Sequence, residues 1–129
     1  MIQNMTIFQM ASGLASHATD RQALTAQNIA NADTPGYKAR DIVPFEQSYE
    51  ASGSIAMQGT RAGHFGVARG GVGGEVFTVS PFGIESPNGN SVSLEAEMIR
   101  SAEIRQQHDL AVGIYQKSLT ILRTSMGRK

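Results

Sequence analysis

Apolar and small side chains recur near the start of the chain at Ile7, Met10, Ala11, Leu14, Ala18, Leu24 and Thr25. Their steps of three and four put them on one face of a helix from about Thr6 to Ala30. Such a helix is roughly 37 Å long at 1.5 Å rise per residue. The stripe is imperfect: His17 and Arg21 fall on or near it, and Gly13 weakens the helix by ~1 kcal/mol relative to Ala. A second helical pattern fills the far end. Ser93 suits a cap, and Glu95 and Glu97 stand in a first turn, where the helix dipole favours acids. That helix is predicted to reach about Met126, with Arg128 and Lys129 carrying the correct sign for its C-terminus. Met98, Val112, Leu119 and Met126 keep seven-residue spacing, with Arg105 in the remaining slot. Ser101, His108, Tyr115 and Leu122 form the companion row, so the pattern is a heptad seam with polar interruptions. Leu110, Ile114 and Ile121 make a further apolar row on another face.

Between the helices the punctuation changes. Thr34-Pro35 closes the first helix, because the proline ring drives the preceding residue out of the α region and removes a donor. Pro35-Gly36 reads as a type II turn. Asn28, Asn31 and Asp33 are placed to bond nearby backbone and end the helix without orphan carbonyls. Lys38 to Glu46 reads as extended chain, and Pro44 forbids a central strand there. Residues 53–90 hold 10 of the 14 glycines. Ile55–Met57 and Val76–Val79 are candidate short strands of one β-hairpin, and Pro87 to Asn90 a turn. The fold class is therefore mainly α, with long terminal helices paired as an antiparallel coiled-coil-like hairpin. Residues 1–31 and 91–129 form a discontinuous helical core around an extended, Gly-rich segment, 32–90.

One partner helix covers one seam. The row at Leu110, Ile114 and Ile121 stays exposed on a two-helix hairpin, and exposed apolar stripes mark interaction surfaces. A hairpin of this size also buries little apolar area against its chain entropy. The chain is expected to be weakly ordered alone and to complete its core from neighbours. His17, Arg21, Arg105 and His108 either weaken premature pairing or are solvated positions on an imperfect stripe. The Gly-rich segment either orders on neighbours or is disordered in the free protein.

Composition narrows the function. Lys plus Arg and Asp plus Glu both number 11, a formal net charge of zero. That balance argues against a nucleic-acid or anionic-membrane binder. There is no cysteine, which excludes disulfides and thiolate chemistry. The N-terminus lacks the basic start and unbroken apolar core of a secretory signal. No run approaches the ~20 apolar residues needed to span a membrane. His17, His64 and His108 lie on three separate segments. His17 and Asp20 are three apart on a helix, which reads as a seam-edge or exposed pair before it reads as a metal site. The glycines at 70–74 lack the Lys-Ser/Thr of a phosphate loop. No catalytic, cofactor or metal residue is expected.

The stretch Asn-Ile-Ala-Asn-Ala-Asp-Thr-Pro-Gly-Tyr-Lys, residues 28–38, resembles the signature of the bacterial flagellar axial proteins, the rod and hook family. Asn28, Asn31, Thr34, Pro35, Gly36 and Tyr37 match it residue by residue. Residues 88–98 are similar to the stretch that opens the last helix in proximal rod proteins, departing at Asn88 and Ser93, where acids are expected. Residues 114–123, and the spacing of Thr60 to His64, resemble the proximal-rod branch more than its sister rod protein. The resemblance implies a structural subunit, not an enzyme, that polymerises helically into the drive shaft of the periplasmic rod. It implies export by the flagellar type III apparatus without a cleaved signal. The implied partners are further copies, other rod proteins, and basal-body ring and adaptor proteins, with no nucleic acid or small-molecule substrate. The six matched residues are the expected assembly motif. Leu14, Leu24, Met98, Leu110, Val112, Ile114, Tyr115, Leu119, Ile121 and Leu122 are the expected inter-subunit packing residues. The rival reading is a small helical binding module, such as a chaperone, whose terminal hairpin docks on a partner helix.

Overall fold

The computed structural model describes residues 6–53, 76–78 and 85–127. Two long helices dominate, α1 (Thr6–Ala30) and α3 (Leu94–Ser125), and they pack together. Asn28 meets Glu97, Gln22 meets Ser101, and Phe8 meets Tyr115, so residue numbers rise on one helix as they fall on the other. Ser93 caps α3 as its sequence predicts, accepting a bond from the amide of Ala96. At the other end Gly127 takes φ +68° just past the helix. There the amide of Met126 closes on Leu122 O and that of Gly127 on Thr124 O.

Strand β1 (Arg40–Ile42) lies against α1 and pairs antiparallel with β2 (Val76–Thr78), Asp41 opposite Phe77. A short helix, α2 (Phe45–Gly53), follows β1. Two expectations change here. Phe45 and Glu46 are helical, not extended: Pro44 stands at the cap position, and its carbonyl accepts the first intrahelical bond, from Ser48. Among the described residues the partner of Val76–Thr78 is β1, while Ile55–Met57 lies outside them.

The seam between the helices is written in small and polar residues. On α1 it follows Ala11, Leu14, Ala18, Arg21, Thr25 and Asn28, alternating steps of three and four. Ala11, Ala18, Thr25 and Asn28 are buried, Leu14 and Arg21 half-buried. On α3 every seventh residue is buried: Glu97, Ile104, Ala111 and Ser118. The predicted row of Met98, Val112, Leu119 and Met126 lies one residue further round. Met98 and Met126 are 62% and 69% exposed, Val112 is exposed and Leu119 half-buried. Its companions Ser101, His108 and Leu122 are half-buried, and Tyr115 is exposed, although its ring meets the edge of buried Phe8 at 5.2 Å. The reason is geometric. Interaxial distance follows the side chains at the contact, so alanine and serine let the backbones approach where methionine would hold them apart. Reading for bulk therefore lands one position off.

Placing Leu at residue 18, which has no exposure, should overpack this seam and cost about 1–3 kcal/mol. Met98→Ala should change stability by no more than about 0.5 kcal/mol. Urea denaturation of the two variants checks the seam, and the reverse ranking would restore the predicted row.

Candidate functional site

Helix α1 tightens as it ends. The amide of Asn31 is shared between the carbonyls of Gln27 and Asn28, both at 3.1 Å, and Ala32 reaches only back to Ile29 at 3.2 Å. Asn31 does what its residue type suggests, donating from Nδ2 to Gln27 O at 2.8 Å. Thr34 Oγ1 donates to Asn31 Oδ1 at 3.2 Å. The chain then turns over Pro35-Gly36. Gly36 has φ +72°, and the amide of Tyr37 closes on Thr34 O at 3.3 Å, as the Pro-Gly pair predicts. A Cβ on Gly36 would meet nothing within 4 Å, so the positive φ, not crowding, calls for glycine.

The turn is laced to the segment ahead of α3. Gly36 N donates to Asn88 O and Ser91 N to Tyr37 O, both at 3.0 Å, and Ala39 N donates to Ser91 Oγ at 2.8 Å. Buried Asn90 supplies the closure. Its Nδ2 lies 2.9, 2.8 and 2.8 Å from the carbonyls of Asn31, Ala32 and Thr34. Two N–H groups thus serve three carbonyls of the turn that follows α1, those of Asn31 and Thr34 also accepting a backbone amide, while Oδ1 accepts from Val92 N at 2.8 Å. Sequence reading places Asn90 in a turn and misses this role. The partners stand 56–59 residues away, beyond any local pattern.

Asn28 is fully buried and does not terminate its own helix. Its Oδ1 accepts from Arg40 N at 3.1 Å and Tyr37 Oη at 3.2 Å. Its Nδ2 donates to Arg40 O at 2.8 Å and to Glu97 Oε2 at 3.1 Å. The amide uses its full bonding capacity. By engaging both backbone groups of Arg40 it stands in for a neighbouring strand along the free side of β1.

His17 and Arg21, expected as solvated or disfavouring positions, are instead what holds β1 and the start of α2 to α1. His17 is buried, its Nε2–H donates to Val43 O at 2.8 Å, and Phe45 meets its ring edge-on at 5.7 Å. Asp20 is exposed, so the two do not form a site. Arg21 grips Asp41 with both ends of its fork, Nε to Oδ1 and Nη2 to Oδ2, each at 2.8 Å. Arg100 approaches Asp41 Oδ2 at 3.5 Å and pairs with Glu97. Burial opposes ionisation of Asp41. Bonds from Arg21 and the Ile42 amide, with the charges of Arg21 and Arg100, outweigh it and hold the carboxyl below its ordinary range. The bond to Asp41 in turn raises Arg21.

Of the expected packing residues, Met98, Leu110, Val112, Tyr115 and Ile121 are exposed. Leu14, Leu24, Ile114, Leu119 and Leu122 are half-buried. Leu110 precedes buried Ala111 and Val112 follows it, and successive helix residues point about 100° apart. Helix α3 therefore carries exposed apolar groups on both flanks of its seam.

Residues 9–38, most of α1 and the turn, match the model of a family described as flagella basal body rod protein. The chain is 36% identical over 115 residues to the flagellar basal body rod protein FlgB of Agrobacterium fabrum, covering 84% of each chain. It is 32% identical over 106 residues to the flagellar basal body rod protein FlgB of Cereibacter sphaeroides, covering 82% of each. The chain belongs to the flagellar basal-body rod protein family. This rod protein is a structural subunit of the flagellar basal body. The family match ends at Lys38, so it takes in Asn28 and the turn but neither Arg40 nor Asn90, on which both depend.

Asn28→Asp keeps the shape but sets a carboxylate oxygen against Arg40 O and Glu97. It should destabilise the rod protein by about 3 kcal/mol or more in chemical denaturation. Acid should act through Asp41. Its folded-state pKa is lowered, so its contribution is fully present above the ordinary carboxylate range and is lost as pH falls through the folded value. The thermal midpoint should hold from neutrality to about pH 5 and drop below about pH 4. In Asp41→Asn it should start lower and lose part of that acid slope.

Proposed function

We propose that this rod protein builds the proximal rod by lending both flanks of α3 to its neighbours. The observation that carries the reading is the inverted placement of its apolar groups. The seam holds Ala111 and Ser118, while Leu110 and Ile121 stand 58% and 68% exposed. Burying such residues between subunits is favourable by about 1.5–3 kcal/mol for each side chain fully covered. The body of the subunit is the discontinuous pair of terminal helices within residues 1–31 and 91–129, joined as a coiled-coil-like hairpin, and β1 and Asn90 of the segment between them pack onto it. Copies stack helically with one another and with other rod proteins, and the packed helices carry torque through the periplasm. The turn at Asn28, Asn31, Thr34, Pro35, Gly36 and Tyr37 presents exposed Thr34 and Pro35 to the next subunit. Ring and adaptor proteins of the basal body meet the base of the stack. Export follows the flagellar type III route without a cleaved signal, and the protein performs no catalysis. No helix among the described residues is long and apolar enough to cross a membrane.

The test substitutes exposed positions only. Leu110→Asp with Ile121→Asp should leave the thermal midpoint of the free chain within a few degrees, since surface changes cost about 0.5 kcal/mol or less. Rod assembly and swimming should be lost. Normal swimming in that double variant would remove the basis for flank packing.

A further inference from the structure

The four buried or half-buried charges between α1, β1 and α3 do more than the fold requires. Asp41 is already matched by the bidentate grip of Arg21, which ties β1 to α1 alone. The remaining pair belongs to α3: Arg100 reaches Asp41, and Glu97 reaches Asn28 and Arg100. Glu97 is as deeply buried as the apolar seam beside it.

The apolar seam cannot choose an alignment well by itself. It repeats every seven residues on α3 through Ile104, Ala111 and Ser118, and on α1 through Ala11, Ala18 and Thr25. A slip of one repeat again sets small residues against small ones and moves Phe8 from Tyr115 to Leu122. Repeating apolar seams leave register open in this way, and single buried polar positions close it. The same slip moves Asn28 from Glu97 to Ile104. It carries Glu97 and Arg100 past the end of α1, away from Asn28 and Asp41, and leaves the buried Asn28 amide facing apolar Ile104 without its Glu97 partner.

We infer that Glu97 and Arg100, acting on Asn28 and Asp41, set the register of α3 on α1. Beside the bonds from Asn88, Asn90 and Ser91 to the turn, which the same slip would break, they select among alignments that the small-residue seam leaves nearly equal. The inference rests on the helix pairing alone and not on assembly into a rod.

The chain has no cysteine, so introduced pairs report without interference. In the full-length chain, Gln22→Cys with Ser101→Cys reads the observed alignment, because the two positions face each other across the helix pair. Gln22→Cys with His108→Cys reads a slip of one repeat. The 22–101 disulfide should form at least about a hundredfold faster than the 22–108 disulfide. With Glu97→Met and Arg100→Met added, the charges leave together and Arg21 still matches Asp41. Helix content by circular dichroism should persist, and the lead of the 22–101 disulfide over the 22–108 disulfide should shrink by at least about tenfold. A helical variant in which that lead is unchanged overturns the inference. So does a variant that loses its helices, because the pair would then hold the seam together without choosing its alignment. Equal disulfide rates before those two substitutions overturn it as well.

Discussion

A helix that ends inside a protein leaves carbonyls and amides that water cannot reach, and each must find a partner. That constraint governs the rod protein. Where α1 stops, the next residues reverse against α3, and two asparagines answer for the polar groups stranded there. Asn90 covers the carbonyls of Asn31, Ala32 and Thr34 just past α1, and Asn28 covers both backbone groups of Arg40. The Arg21–Asp41 pair and the His17–Val43 bond continue the same task along β1. The turn keeps its shape because polar groups from three elements converge beneath it.

The apolar side of the molecule is arranged in the opposite sense from an independent domain. On α3 Met98, Leu110 and Ile121 sit outside, while Ala111 and Ser118 sit inside beside Ile104. Close approach of the helices and apolar flanks on both sides of one seam are a single arrangement. Alanine and serine bring the backbones together, which leaves the larger groups nowhere to go but outward. Membership of the rod family gives that arrangement a setting, since in the packing proposed above one subunit's outside is another subunit's interior.

Much of this was legible in one dimension. The span of α1, the Ser93 cap and the turn over Pro35-Gly36 follow from local spacing and residue type, as does the exposure of Leu110 and Ile121, while Ile114 of the same expected row is half-buried. What escaped reading was of two kinds. Small residues carry little weight in a hydrophobic pattern, so the seam at Ile104, Ala111 and Ser118 was displaced by one position. Polar residues with distant partners look idle: His17 and Arg21 read as flaws in a stripe, and Asn90 as one more turn residue. Their partners are set by the tertiary path of the chain, and no period or propensity encodes that path.

The bonds that shape the turn join residues far apart in the chain: Ala39 with Ser91 across 52 positions, Asn31 with Asn90 across 59 and Asn28 with Glu97 across 69. Closing loops of that length costs entropy before any bond rewards it. The eleven residues 28–38, which close the stretch matched by the family model, therefore owe much of their form to a distant segment. Cut from the chain, or borne on a fragment ending before residue 88, they would keep every letter and lose their geometry. In this molecule the signature is spelled at one end and shaped from the other.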